Sequence, residues 1–597
     1  MCGIVGYIGS REKKNIILEG LKELEYRGYD SAGLAVLKDK EIDFFKAVGK
    51  LENLANKCEA FSSEGFGFAI GHTRWATHGK PTEINAHPHL GEYSCVIHNG
   101  IIENYKEIKE KLEKEGISFL SQTDTEVIVQ LFEYYAKDMD AFDAFKKLVS
   151  ELKGAFATLL ISKKEPTKVF FAKNAAPLII GKNADETFFA SADAALIGKV
   201  NDVIYLEDVS YGYASKNELL IYENDILRAN TFVKLPSDKA YAQKDGFRFF
   251  MEKEIYEQSN VLSEVLMGRI EGEEIIFDEL KNENLKDVEE LSICACGTSY
   301  HAALSSSYLF NRLSKVKTSV EIASEFRYKD GIVKENSLFV VISQSGETAD
   351  TLEALKIAKQ KGAKTVAICN VDNSSIVRLA DYSILTRAGI EKGVASTKAF
   401  ATQILTLWML AIFIAQKKGF DMNKELKALR HIPKVALVTQ KLHDKIHRLS
   451  KRYLDGHGFF FIGRDVFYPL ALEGALKLKE LSYLHAEGYP AGEMKHGPIA
   501  LADSKLYTIA LMPELCLYDK TKSNVEELIA RDSTVLCISP NEFELSDDFI
   551  KTNKQEHFMC EFFEMMIIVQ LLAMEISIRL GNDVDMPRNL AKSVTVE

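Results

Sequence analysis

The chain has 597 residues, too many for one hydrophobic core, and at about 150 residues per domain it should fold as three or four. With 46% hydrophobic and 27% charged residues it reads as a folded globular protein, and a formal net charge of −12 argues against a nucleic-acid or anionic-membrane surface, so any phosphate must be held by a local site. Nine cysteines without regular spacing make no disulfide framework, which fits a reducing cytoplasm.

The opening MCGIVGYIGS lacks the basic segment and longer apolar run of an export signal. Two later apolar stretches, 404–415 and 562–572, fall short of the roughly 20 residues that cross a bilayer and are expected as buried helices. A cytoplasmic protein with no membrane and no nucleic-acid partner is therefore expected.

In chain order, residues 2–235 are strand-rich, with GLAVL (33–37), FGFAIG (66–71), SCVIHNG (94–100) and AFATLLIS (155–162) set between turn signals and one helix at 104–116. A polar linker, 236–250, follows. Beyond it short apolar strands alternate with longer amphipathic helices, the pattern of a parallel sheet with crossover helices. This part contains itself twice: 291–307 is echoed by 459–477, 338–343 by 507–512, and 364–370 by 533–539. Two α/β doubly wound parallel-sheet domains, 251–425 and 430–585, and a tail, 586–597, are predicted.

Cys2 directly follows the initiator methionine, and a small second residue favours removal of Met1. The thiol then shares a residue with a free α-amine, which at an ordinary pKa of about 7.7 to 8.0 can serve as base for its own side chain. MCGIVGYIG, YRGYDSAGLA (26–35), HTRWATHG (72–79), NAHPH (85–89), HNGIIENY (98–105) and TDTE (123–126) together resemble, in order, the class II, N-terminal-nucleophile glutamine amidotransferases. The resemblance implies an α+β fold of four αββα layers, with Cys2 attacking the glutamine side-chain amide and Asn99 and the Gly100 N–H stabilising the oxyanion. It implies that Arg74 takes the glutamine carboxylate and Asp124 its ammonium, with Trp75, Thr77 and His78 beside them. Five of the thirteen histidines crowd here, but all fall inside these motifs and no cysteine or carboxylate completes a ligand spacing, so no metal is expected.

After the strand 337–342 comes SQSGETADT (343–351) and a helix, 352–361, which gathers hydroxyls, backbone N–H groups and a positive helix end around one point suited to an anion. GK[ST] is missing, so no nucleoside triphosphate is implied. In LEGALKLKELSYLH (472–485), Glu473, Lys477 and Glu480 fall at i, i+4 and i+7 on one helical face. CGTSYHAAL (296–304), SQSGETADT, EKGVASTKAF (391–400) and the tail DMPRNLAKSVTVE (585–597) resemble the isomerising glutamine–fructose-6-phosphate aminotransferase family, an amidotransferase domain followed by two sugar isomerase (SIS) domains. Only scattered agreement appears between residues 513 and 559.

That resemblance implies that Thr298, Ser299, Ser343, Gln344, Ser345 and Thr348 hold a sugar phosphate, with Val394 and Ser396 lining the pocket. It also implies that Lys592 forms a Schiff base, that Glu480, beside Lys477, shuttles a proton between C1 and C2, and that His496, in GEMKHGP (492–498), opens the sugar ring. The substrates would be L-glutamine and D-fructose 6-phosphate, the products D-glucosamine 6-phosphate and L-glutamate, as the first step of amino-sugar synthesis, with no cofactor and a homodimeric assembly. A different class II amidotransferase would need a diphosphosugar or SGGxDS loop, and a SIS-domain sensor a DNA-binding module; none of these is found.

Overall fold

Alternation along the N-terminal strands sets the layering. In β1 (Gly3–Gly9), Ile4 and Ile8 face one way and Val5 and Tyr7 the other, as a period of two requires. Ile4 and Ile8 pack, with Ile70, against Ile97, Leu159 and Phe171 of a second sheet, while Val5 and Tyr7 pack against Ile17, Leu21 and Leu54 of the helices Lys13–Leu24 and Leu51–Lys57. An eight-stranded antiparallel sheet thus stacks on a seven-stranded one, whose outer face carries the helices Tyr105–Lys114, Glu126–Tyr135 and Ala141–Glu151. β1 lies inside the larger sheet, β2 (Glu41–Val48) at its edge, and β3 (Gly67–Arg74) beside β1; β4 (Ser94–Ile102) belongs to the smaller. This is the four-layer αββα arrangement.

The computed structural model describes residues 2–76, 78–235, 244–334 and 337–595. Thr77 and residues 236–243 of the expected linker lie outside these. Met1–Tyr241 with Ala591–Glu597 form one compact unit and Ala242–Leu590 a second. The sequence predicts a single helix in the first unit, and the structure adds four. EVIVQLFEYY illustrates why: its β-branched and aromatic residues favour strand, yet Val127, Ile128, Val129, Leu131 and Phe132 are all fully buried, and burial on several sides erases the 3.6-residue period.

In the second unit the repeat appears as two five-stranded parallel sheets. The first has the order β6-β5-β7-β8-β9, from β5 (Glu290–Ala295), β6 (Lys317–Ile322), β7 (Leu338–Ser343), β8 (Lys364–Cys369) and β9 (Tyr382–Leu385). The second repeats that order as β11-β10-β12-β13-β14, from β10 (Gly458–Gly463), β11 (Ala486–Pro490), β12 (Leu506–Leu511), β13 (Thr534–Ser539) and β14 (Asp548–Lys551). Helix α1 (Gly297–Leu309) follows β5, α2 (Ala349–Gln360) follows β7, and α4 (Phe467–Ser482) follows β10; α3 (Lys398–Lys417) and α5 (Phe558–Arg579) are long and central. One hydrophobic cluster runs through both copies around α3 and α5. Both helices exceed their predicted spans. α3, with 20 residues and a mean hydropathy of 1.7, is long and apolar enough to cross a bilayer, but 94% of that stretch is buried inside the protein.

Where the two antiparallel sheets meet helix Glu126–Tyr135, the interior is filled by imidazoles rather than hydrocarbon. His72 stacks on His87 at 3.9 Å between centroids, and His87 meets His89 edge-on at 4.9 Å. His98 Nδ1 lies 3.0 Å from Thr125 Oγ1 and the His98 N–H donates to His87 Nδ1 at 3.2 Å. Burial disfavours the charged ring, lowering His72 to about 3 and His87, His89 and His98 below their ordinary value. The unfolded chain binds protons at these groups near pH 6.5 and the folded chain does not, so stability is full above about pH 6.5 and declines down to about pH 3, by up to about 1.4 kcal/mol per pH unit per histidine. The urea midpoint followed by Trp75 fluorescence in a Trp408→Phe background should therefore fall between about pH 7 and about pH 4.5; a midpoint flat over that interval would contradict buried neutral rings.

Candidate functional site

In the first unit the strand ends bring Cys2, Arg74, Trp75, His78, Asn99, Gly100 and Asp124 into one constellation. The Trp75 N–H donates to Cys2 Sγ at 3.3 Å, and Asn99 Nδ2 donates to Cys2 O at 3.0 Å. Burial pushes the Cys2 thiol up, against the pull of the chain-terminal amine and Arg74. Asn99 is fixed from behind: His72 Nε2 lies 3.1 Å from Asn99 Oδ1 and 3.0 Å from His98 O. Both partners are acceptors, so that nitrogen carries the proton, and the amide is held with its NH2 toward Cys2. Gly100 has φ +121°, and a Cβ there would stand 1.9 Å from Ala155 O, so only glycine fits beside Asn99.

Arg74 is buried and spends part of its fork internally, donating to Gly79 O at 3.1 Å and to His78 O, which curls the loop after β3 around it. Asp124 is buried, with Oδ2 accepting the Ile102 N–H at 2.8 Å. His78 packs edge-on against Tyr105 at 5.5 Å. Three ring nitrogens here, His72 Nδ1, His78 Nδ1 and His98 Nε2, are buried without a partner. His72 is the residue that motif reading passes over, although its spacing of two from Arg74 on a strand puts both on one face.

In the second unit the charged stripe on α4 is buried: Glu473 and Lys477 have side chains 0% and 1% exposed, and Glu480 20%. Lys477 Nζ sits 3.4 Å from Glu473 and 2.6 Å from Glu480. Two residues of α1, in the other copy, complete the row: Thr298 Oγ1 donates to Glu473 at 3.0 Å and accepts from Lys477 at 3.1 Å, and His301 Nδ1 meets Glu473 at 2.7 Å. Desolvation would lower the Lys477 ammonium, but Glu473 and Glu480 outweigh it and hold the group above its usual range. Desolvation likewise opposes charge on Glu473, yet Lys477, His301 and Thr298 keep its carboxyl below the ordinary value. His301 has no role in the motif reading, although it lies one helical turn from Thr298.

The turn after β7 has the expected form. Ser343 Oγ accepts the Gly346 N–H at 2.9 Å and lies 3.0 Å from Thr348 Oγ1, and Ser345 Oγ accepts the Glu347 N–H at 3.2 Å. Gly346 has φ +67°, and a Cβ would meet Ser374 Oγ at 1.9 Å. Thr348 directly precedes α2, whose N-terminus opens onto the turn. Ser299 and Gln344 are half-buried. Val394 is buried with its N–H on Asp585 O, and Ser396 donates to Glu391 at 2.9 Å. His496 is exposed at the end of the turn Ala491–His496, and among the described residues no hydrogen bond or ion pair joins it to the charged row. Lys592 is half-buried and belongs to the first unit.

Among the described residues one group, Glu252, His443 and Glu575, has donor atoms within 4.8 Å of one another, close enough to share a metal ion. Arg248 already bridges its two carboxylates at 2.8 Å each, so the cluster holds its own cation.

Residues 73–198 match the glutamine amidotransferase domain family, and 284–413 and 455–575 the SIS domain family. Over the whole of both chains the sequence is 78% identical to the glutamine–fructose-6-phosphate aminotransferase [isomerizing] of Campylobacter jejuni and 53% identical to that of Helicobacter pylori. The solved C-terminal domain of the Francisella tularensis glucosamine-fructose-6-phosphate aminotransferase, 40% identical, aligns over 58% of this chain and all of its own with a TM-score of 0.56. With two relatives matched end to end at these identities, the chain belongs to the isomerizing glutamine–fructose-6-phosphate aminotransferase family.

Proposed function

We propose that the chain transfers the amide nitrogen of L-glutamine to D-fructose 6-phosphate and isomerises the product, yielding D-glucosamine 6-phosphate and L-glutamate. The observation that carries this reading is the 78% identity, over full length, to a relative of that name. The two constellations supply chemistry that fits it.

Cys2 attacks the glutamine side-chain carbonyl. Its thiol, raised by burial, needs a base, and the α-amine that loss of Met1 would free on the same residue can serve as one. The oxyanion that forms is met by the second Asn99 N–H and by Gly100 N–H, donors that need no reorganisation because His72 locks the amide. Arg74 and Asp124, both buried, match the substrate's carboxylate and ammonium. Breaking the C–N bond releases ammonia, and water then frees glutamate from the thioester.

In the sugar half, the turn Ser343 to Thr348 receives the phosphate at the start of α2. Lys592 condenses with the C2 ketone, losing water; ammonia displaces the lysine, leaving the C2 imine. Glu480 takes a proton from C1 and returns it to C2, which converts the ketose imine to the aldose amine. Lys477, 2.6 Å away, fixes that carboxylate. His496, exposed and without a hydrogen bond or ion pair among the described residues, suits a role in a partner's site, in keeping with a homodimer. All nine cysteines are free thiols, as suits a cytoplasmic setting.

Cys2→Ala should abolish glutamate release and glutamine-supported glucosamine 6-phosphate formation, by about a thousandfold or more, and the mass of the mature wild-type protein should lack Met1; persistent glutamine-dependent synthesis would sink the reading. Lys477→Met should leave glutaminase activity in place while suppressing sugar conversion. It also strands Glu473 without its ion, so the unfolding free energy of the second unit should fall by about 3–5 kcal/mol. Unchanged stability would mean the pair is not buried as described.

A further inference from the structure

The glutaminase unit has a cavity, of about 430 Å³, that the proposed chemistry does not use. Its walls come from the edge strand β2, from residues 83–90 and from the turn at 120–126; Cys2, Arg74 and Asp124 are not among its lining residues. A volume of this size suits a small organic molecule. Phe44, Ile84 and Leu120 at its walls are 46%, 61% and 83% exposed, an unusual concentration of apolar surface around one opening.

Every charged side chain lining the cavity but one has a hydrogen-bond or ion-pair partner among the described residues. Lys57 pairs with Glu83 at 2.7 Å. Glu126, buried, accepts the Leu120 N–H at 2.8 Å and the Ser121 N–H at 2.6 Å, one on each oxygen. Lys46 has Glu126 and Glu83 in its surroundings but forms a hydrogen bond or ion pair with neither, nor with any other described residue. Desolvation lowers its ammonium to about 8, so it remains largely charged at neutral pH while lacking a partner. The remaining polar neighbour, His89, is turned to Thr123 Oγ1 at 3.1 Å.

We propose that this cavity binds a small amphipathic carboxylate, its apolar body against Phe44, Ile84 and Leu120 and its single negative charge on Lys46. An ammonium without a direct partner calls for a singly charged acceptor. A phosphate dianion would bring a second beside Glu83 and Glu126 and be repelled.

Phenylbutyrate, phenylbutanol and phenylbutyl phosphate serve as probes, titrated calorimetrically into the full chain with saturating L-glutamate present to fill the glutamine site. Phenylbutyrate should bind, and bind about tenfold or more tightly than the alcohol or the phosphate. Lys46→Met, which keeps the stem and removes the charge, should weaken it about tenfold or more, and Lys46→Arg should restore it to within about threefold. Glutaminase kcat/KM should be unchanged in both variants, which verifies the fold. Absence of phenylbutyrate binding, equal affinity in wild type and Lys46→Met, tighter binding of the phosphate, or displacement by glutamate would each overturn the proposal.

Discussion

The second unit is organised around the buried ammonium of Lys477. Lys477 is enclosed, and an uncompensated charge there would cost several kcal/mol, a large fraction of the domain's net stability. Its compensation is drawn from both copies of the repeat: Glu473 and Glu480 from its own helix, Thr298 from α1, with His301 of α1 satisfying the outer oxygen of Glu473. Neither copy alone can bury α4 in this state. The shared hydrophobic cluster around α3 and α5 and the shared polar row are therefore two expressions of one requirement, and they account for two sheets behaving as one compact unit.

The repeat is faithful in topology and unequal in chemistry. At the turn after β7, the Gly346 and Glu347 N–H groups are held only by the neutral hydroxyls of Ser343 and Ser345. At the equivalent turn after β12 the N–H groups of Glu514 and Leu515 are already taken, at 2.7 and 3.0 Å, by the two oxygens of Glu561 on α5. A buried side-chain carboxylate stands where an anionic ligand would bind, and desolvation raises it to about 7 despite those two bonds. The second copy is thus self-liganded at its turn and contributes the helix face of α4 instead.

Much of this was legible in sequence. The repeat in strand-turn-helix segments predicted two like sheets, and the i, i+4, i+7 spacing placed Glu473, Lys477 and Glu480 on one face. Spacing does not show how deeply a face is buried, so the same stripe also fits a solvated surface; only packing against α1 decides it. The helix Glu126–Tyr135 was hidden because its β-branched residues obey tertiary burial over local preference. The orienting role of His72 needed the cross-sheet contact with Asn99, which joins residues 27 positions apart. Lys46 carries no motif at all, since a lone lysine on an edge strand ordinarily reads as a solvated charge.

The two units position their reacting groups by opposite electrostatics, and the proposed chemistry explains the difference. The sugar half moves a proton between carbons, and its fixed cation and carboxylates set that transfer without leaving the site. The glutaminase half must release ammonia in a form that can still attack a carbonyl. Ammonia is a stronger base than imidazole, so an imidazolium beside Asn99 would protonate it and end its nucleophilicity. His72, held to about 3 by burial, gives the same oriented hydrogen bond to Asn99 while having no surplus proton to donate at neutral pH. The stacked neutral histidines thus supply rigidity without acidity.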